Sequence, residues 1–237
     1  MLLPARTTTL LFAPIVFLAG FPAAPARAAG GHFDVDDATV LDTGHCQYET
    51  WLARAPAART TLFHLGPACR VGPVEVGLNL DHVEEPHRRH DSFGPQLKWV
   101  ADPLLGKLSA GVVVAAAFDV THGGRPWKTA YVPLTWWAAD KLWVHANAGA
   151  DWASSGVGGQ QRTRRLGLSA EWAASDKLTV IAERVTYAGS WTSRLGTRVT
   201  LNEAVSVDFS AARFASSGAA AGTSRVYVIG LNHDFVP

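Results

Sequence analysis

The chain has 237 residues, with 21 Lys and Arg against 20 Asp and Glu, nine Trp and two Cys. A charge this close to balance gives no electrostatic case for a nucleic-acid partner or for a polybasic segment lying on a membrane surface. No stretch of 18 or more apolar residues occurs, so no transmembrane helix is expected, and no cofactor is called for.

The N-terminus reads as an export leader. Arg6 precedes the apolar run Leu10 to Ala19, and Ala26-Arg27-Ala28 has the small-x-small form of a cleavage site. The run is about ten residues, and a spanning helix needs about 20. Residues 1–28 are therefore assigned to a signal peptide. Loss of Arg6 and Arg27 leaves the mature chain within one charge of neutral. Residues 29–43 are expected to form a periplasmic lead, and residues 44–237 the folded domain.

From there the chain alternates with period 2. Val74, Val76, Leu78 and Leu80 share one face, and Glu75, Gly77, Asn79 and Asp81 the other. An apolar face opposite a polar or tiny one marks a half-buried strand. Segments of this kind are predicted at 44–54, 59–66, 73–83, 92–101, 107–119, 127–138, 141–152, 162–173, 177–187, 191–201, 204–214 and 225–235. Most match the length of a tilted transmembrane strand, about 9–11 residues, rather than the globular norm of about 5–6. Their number is even, as in single-chain bacterial barrels.

The connections alternate too. Ala139-Asp140-Lys141, Ser175-Asp176-Lys177 and Asn202-Glu203-Ala204 are tight, whereas 84–91, 120–125, 153–161 and 215–224 are longer or more polar. Short periplasmic turns and longer outer loops suit an all-β, antiparallel up-and-down transmembrane barrel. By parity Trp99, Trp137 and Trp172 fall on the apolar face at the tight-turn end, and Trp127, Trp152 and Trp191 at the loop end. Two such rings form an aromatic girdle facing lipid. Trp51, Trp136 and Trp143 fall on the polar face.

Several stretches carry a family resemblance. They are Asp36-Asp37-Ala38 to Gly44 with Gln47 and Glu49, the two Asp-Lys-Leu turns at 140–142 and 176–178, Val180 to Glu183, and Val226 to Phe235. Together they resemble a family of small proteobacterial outer-membrane β-barrels regarded as transporters, one branch of which is associated with phenol-degradation gene clusters. The resemblance implies the fold, the outer membrane and transport, and it brings no catalytic residues. The closing segment resembles the C-terminal signal read by outer-membrane assembly machinery, although Val236 and Pro237 follow the terminal aromatic Phe235. The expected partners are outer-membrane lipid, that machinery and a small solute.

Cys46 and Cys69 are expected to meet at the base of the first hairpin and to form a disulfide in an oxidising compartment. His82, His87 and His90, with Glu84 and Glu85, crowd an outer loop. They are weak candidates for Zn²⁺ or Cu²⁺, because their spacing matches no defined site and a solvated polar loop explains them as well. The polar faces of the later strands place Arg165, Glu171, Glu183, Arg194 and Arg198 in the lumen. Glu49, Glu75, Asp81, Lys98, Lys128, Asp151 and Asp208 extend this mixed-sign lining. Two readings follow, a charged constriction that selects anionic or zwitterionic solutes, or mutually neutralising pairs that plug a narrow barrel. A passive channel for small solutes is the expected function. A plugged structural or interaction barrel is the alternative, and a lipid-modifying enzyme the third reading. His64 and His145 lie on polar faces, and His233 faces lipid without Ser and acid partners in register.

Overall fold

The computed structural model describes residues 31–101, 106–154, 159–187, 190–215 and 223–237. The signal peptide and parts of the outer loops 153–161 and 215–224 lie outside them. The strands are β1 (Cys46–Ala55), β2 (Thr60–Val71), β3 (Val74–Glu85), β4 (Arg88–Val100), β5 (Leu108–Asp119), β6 (Trp127–Ala139), β7 (Leu142–Ser154), β8 (Gln160–Ser175), β9 (Leu178–Tyr187), β10 (Ser190–Thr200), β11 (Val205–Ala215) and β12 (Thr223–Phe235). Each pairs antiparallel with its sequence neighbours, and β1 pairs with β12, so the sheet closes into a 12-stranded barrel. All predicted strands are present, and closure removes every free strand edge.

The wall is inside-out relative to a soluble protein. Leu52, Phe63, Leu78, Leu97, Val114, Leu168, Leu195, Phe209 and Ile229 are exposed on its outer face. His64, Glu75, Lys98, His145, Asn147, Asp151, Glu171, Glu183 and Asp208 are buried. An apolar exterior over a polar interior is stable only where lipid replaces water around the barrel. The chain is an outer-membrane β-barrel.

Three differences from the sequence expectation have physical causes. β2 runs on through Pro67 to Val71, so Cys69 sits within the strand, directly opposite Cys46 and disulfide-bonded to it. Pro67 lacks a donor, and the β2–β3 ladder skips Gly66 and Pro67 without losing register. The outer loop at 84–91 is a hairpin instead, with β3 and β4 continuing to Glu85 and Arg88 around a two-residue turn. Cross-strand pairs hold it, His82 to Asp91 at 2.6 Å and Arg89 to Glu84 at 2.8 Å.

The parity of β6 is reversed. Val132, Leu134 and Trp136 face outward, while Thr129, Tyr131 and Thr135 are buried inside. Trp127 and Trp137 therefore point to the lumen side, Trp137 opposite the buried Trp143. Neither belongs to the girdle, and Lys128 does not belong to the lumen lining. The aliphatic stripe Ala130, Val132 and Leu134 decides the orientation of β6, and Lys128 reaches past the lipid edge as long cationic side chains do. The lipid-facing tryptophans are Trp99, Trp136 and Trp172 at the tight-turn end, with Trp152 and Trp191 at the loop end.

Candidate functional site

The lumen is the polar concavity, and its lining follows from strand parity and register. Register aligns Arg194, Glu183, Ser169, His145, Thr135 and Ser109 as one continuous row of side chains from β10 round to β5. All six are buried. What buries them is the segment assigned to a periplasmic lead. Residues 31–41 instead cross the lumen along this row.

The contacts are continuous. The Val35 amide donates to Glu183 Oε2 (2.9 Å), and Arg194 donates to the His32 carbonyl (2.6 Å) and to Asp34 Oδ2 (2.6 Å). Asn147 makes a reciprocal pair with the Asp36 backbone, accepting from its amide at 2.8 Å and donating to its carbonyl at 2.7 Å. The Ala38 amide donates to Thr135 Oγ1 and the Ser109 hydroxyl to the Ala38 carbonyl, both at 2.7 Å. The Leu41 amide ends the run on Glu75 Oε2 at 3.0 Å. A segment without secondary structure of its own thus has many of its backbone groups bonded to inward side chains, as burial demands.

Charge and shape match as well. Lys98 Nζ lies 2.7 Å from Asp36 and 2.8 Å from Asp37, and the Tyr131 hydroxyl donates to the second oxygen of Asp36. Phe33, Val35 and Ala38 are buried. Val35 and Phe33 seat where the wall has Gly167 and Gly196, and a Cβ at either glycine would come within 2.9 Å of them. The acidic residues of the segment sit against inward cations of the wall, Asp36 and Asp37 on Lys98 and Asp34 on Arg194.

The predicted charge cluster is present but committed. Arg194 pairs with Glu183 at 2.9 Å as well as with Asp34. Arg198 grips Asp208 through two nitrogens, at 2.7 and 2.8 Å. Arg165 reaches Asp151 at 3.4 Å and lies over the Tyr131 ring. Glu171 lies 3.6 Å from His145 Nε2, whose Nδ1 bonds Thr135 at 2.9 Å. Arg165, Arg194 and Arg198 thus each have a carboxylate within 3.4 Å. His82 and His90 fall on opposite faces of the β3–β4 hairpin, and His87 is in its turn. Among the described residues no three His, Cys, Asp or Glu side chains are grouped to hold a metal.

The segment leaves one side of the lumen open. Between it and the wall formed by β1–β4 lies a cavity of about 490 Å³. Gln47, Glu49, Trp51, His64, Asn79 and Gln96 line its barrel side. Trp51 stacks on His64 at 4.7 Å, and His64 is fixed by Asp81 at 2.6 Å.

A search of curated proteins returns no match to the sequence. Solved structures of the same fold do match. The NanC porin aligns with a TM-score of 0.63 at 10% identity, over 78% of this chain and 98% of that one. The KdgM porin in complex with oligogalacturonate aligns at 0.60 and 10%, over 81% and 99%. An outer-membrane channel from Pseudomonas putida F1 aligns at 0.59 and 9%, over 86% and 100%. Outer membrane phospholipase A from Escherichia coli shares the architecture at 0.52 and 11%, over 79% and 95%. At such identities the likeness is one of fold, and it agrees with the resemblance to small outer-membrane barrels. A family model matches residues 17–221, and the chain, a small outer-membrane β-barrel, belongs to the family described as uncharacterised conserved protein UCP029691.

Proposed function

We propose that the chain is a passive outer-membrane channel for small solutes, whose passage is the cleft between residues 31–41 and the wall β1–β4. The polar cavity of about 490 Å³ beside the segment carries this reading. Its barrel side presents amides, a carboxylate and an aromatic pair, groups suited to brief hydrogen bonding with a polar solute in transit. The guanidinium groups that would attract anions are spent on Asp34, Glu183, Asp151 and Asp208, which removes the support for an anion-selecting constriction. The fold shared with porins agrees with a conducting role, and no ligand of theirs is carried over.

The second reading, a plugged barrel without transport, is favoured by the dense anchoring of the lumen segment. We read the chain as non-enzymatic, since His64 and His145 are committed inside the barrel and His233, on the lipid face, packs against Phe235. Export with cleavage of residues 1–28, and assembly through the C-terminal strand, complete the proposal.

Single-channel recording in planar bilayers tests it. The full mature chain is expected to give small stepwise conductance, and a chain lacking residues 31–41 steps several-fold larger. Silence from the full chain with steps from the deletion would select the plugged barrel, and silence from both would end the channel reading.

A further inference from the structure

The lipid-facing stripes of six strands end in the same way at the loop end. On β6, Trp136, Leu134, Val132 and Ala130 give way to Lys128. On β8, Leu168 and Leu166 are followed by Arg164 and Arg162. On β9, Val180 and Ala182 lead to Arg184. On β11, Phe209 and Ala211 lead to Arg213, and on β12 Ile229 and Tyr227 lead to Arg225. On β1, Leu52 is followed by Arg54. Lys128, Arg162, Arg164, Arg184, Arg213, Arg225 and Arg54 are all exposed.

Register turns these endings into a belt. Lys128, Trp152 and Arg162 are side by side across β6–β8. Arg184, Ser193, Arg213 and Arg225 are side by side across β9–β12, a row about 14 Å long at ordinary strand spacing. Arg213 and Arg225 face one another directly. Like charges in that position repel, so the arrangement needs an anion to be favourable.

The described residues do not supply one. Among the described residues Lys128, Arg162, Arg164, Arg184, Arg213 and Arg225 are in no ion pair. No Asp or Glu faces outward on β1 or on β6–β12. The adjoining chain is equally bare, since Arg162, Arg164 and Arg165 are the only charged residues between Asp151 and Glu171. Between Asp208 and Asp234 only Arg213 and Arg225 are charged, His233 apart. Two guanidinium groups lie over tryptophan rings, Arg184 on Trp191 at 4.9 Å and Arg162 on Trp152 at 5.8 Å. Stacking holds the plane of the group and leaves its N–H edge free for the paired hydrogen bonds that guanidinium makes with phosphate.

We propose that this belt binds the phosphorylated headgroup of the outer-leaflet glycolipid, with Arg184, Arg213 and Arg225 as one phosphate site and Arg162, Arg164 and Lys128 as a second. The position selects the partner. The belt begins where the apolar stripe ends, at the height of a lipid headgroup, and it lies at the end that carries the outer loops. A lipid A molecule, an acylated disaccharide with a phosphate at each end, presents two anions at that height. The inference requires the barrel to sit in the outer membrane and is independent of whether it conducts.

The test uses the full mature chain in nonionic detergent, with binding of purified lipid A read by native mass spectrometry and by the thermal midpoint. Lipid A is expected to bind and raise the midpoint by several degrees, whereas enzymatically dephosphorylated lipid A leaves it unchanged. Combined Arg184→Gln, Arg213→Gln and Arg225→Gln should weaken lipid A binding at least tenfold while the barrel keeps its heat-modifiable mobility. Equal binding of dephosphorylated lipid A, an arm that needs no variant, would overturn the proposal. So would full-affinity binding by the triple variant. Phosphatidylglycerol binding as tightly as lipid A would show a general anion-binding surface and overturn the glycolipid assignment.

Discussion

At the scale of single residues, the lumen segment rests on a few contacts that can be broken one at a time. Arg194 touches Glu183, Asp34 and the His32 carbonyl. Replacing it with Gln leaves the buried Glu183 carboxylate without its cation, while Asp34 is part-exposed and can turn to water. Breaking a buried pair costs about 3–5 kcal/mol, so the Arg194→Gln variant should unfold at a clearly lower temperature on a gel-shift series; an unchanged midpoint would mean that the pair is not buried as described. Gly167 gives a sharper probe. A Cβ there meets Val35 Cγ2 at 2.9 Å, while the wall atoms Val185 Cγ2 and Asn147 Cβ stand off at 3.4 and 3.7 Å. Gly167→Ala should therefore destabilise by about 1–3 kcal/mol, as overpacking does, and most of that loss should vanish in a Val35→Ala background. A double-mutant cycle reads the coupling. Additive effects would show that Val35 does not occupy this socket.

At the scale of elements, strands were legible in the sequence and the segment between them was not. Each strand is reported by a dozen or so residues that alternate, so one exception such as Gly66-Pro67 does not hide it. Orientation is weaker information. On β6 both faces carry aromatic residues, and weighting Trp127 and Trp137 over Ala130, Val132 and Leu134 turns the strand the wrong way. The charge cluster of Arg165, Glu171, Glu183, Arg194 and Arg198 followed from parity, but its partners lie far away in sequence. Asp34 meets Arg194 across 160 residues, a separation at which spacing carries no signal. A compositional hint was present, since residues 32–38 interleave three Asp with Phe33, Val35 and Ala38, a pattern that suits burial among cations better than a solvated lead. The cysteine pairing of the first hairpin was legible, although β2 runs on past the predicted 59–66 to Val71. Its disulfide joins residues 23 apart on the strand that closes the barrel against β12. Loop-closure entropy for such a loop is worth about 3 kcal/mol. A Cys46→Ser/Cys69→Ser chain should still assemble, because β1 keeps both ladders, but should unfold at a lower temperature than the oxidised parent. Reductant should lower the parent to match and leave the variant unmoved.

At the scale of the whole molecule, the asymmetry between the two ends fixes how the barrel sits. Both termini of the barrel and the tight turns at Asp140-Lys141, Asp176-Lys177 and 201–204 lie at one end. The β3–β4 hairpin, the longer connections and the cationic belt lie at the other. With export as proposed, an even number of strands and tight turns at the end that carries both barrel termini are expected to put those termini in the periplasm. That places the lumen segment's exit at Leu41 on the periplasmic side, and the tip of the hairpin, Pro86-His87, outside the cell. The belt then faces the outer leaflet, where phosphorylated glycolipid is found, which ties the orientation to the binding surface. Cysteine labelling separates the two orientations. A cysteine placed by His87→Cys should react with a membrane-impermeant maleimide on intact cells. One placed by Asp176→Cys should react only after the outer membrane is permeabilised. The opposite pattern would invert the barrel, carry the belt to the inner leaflet, and remove the partner that its unpaired guanidinium groups require.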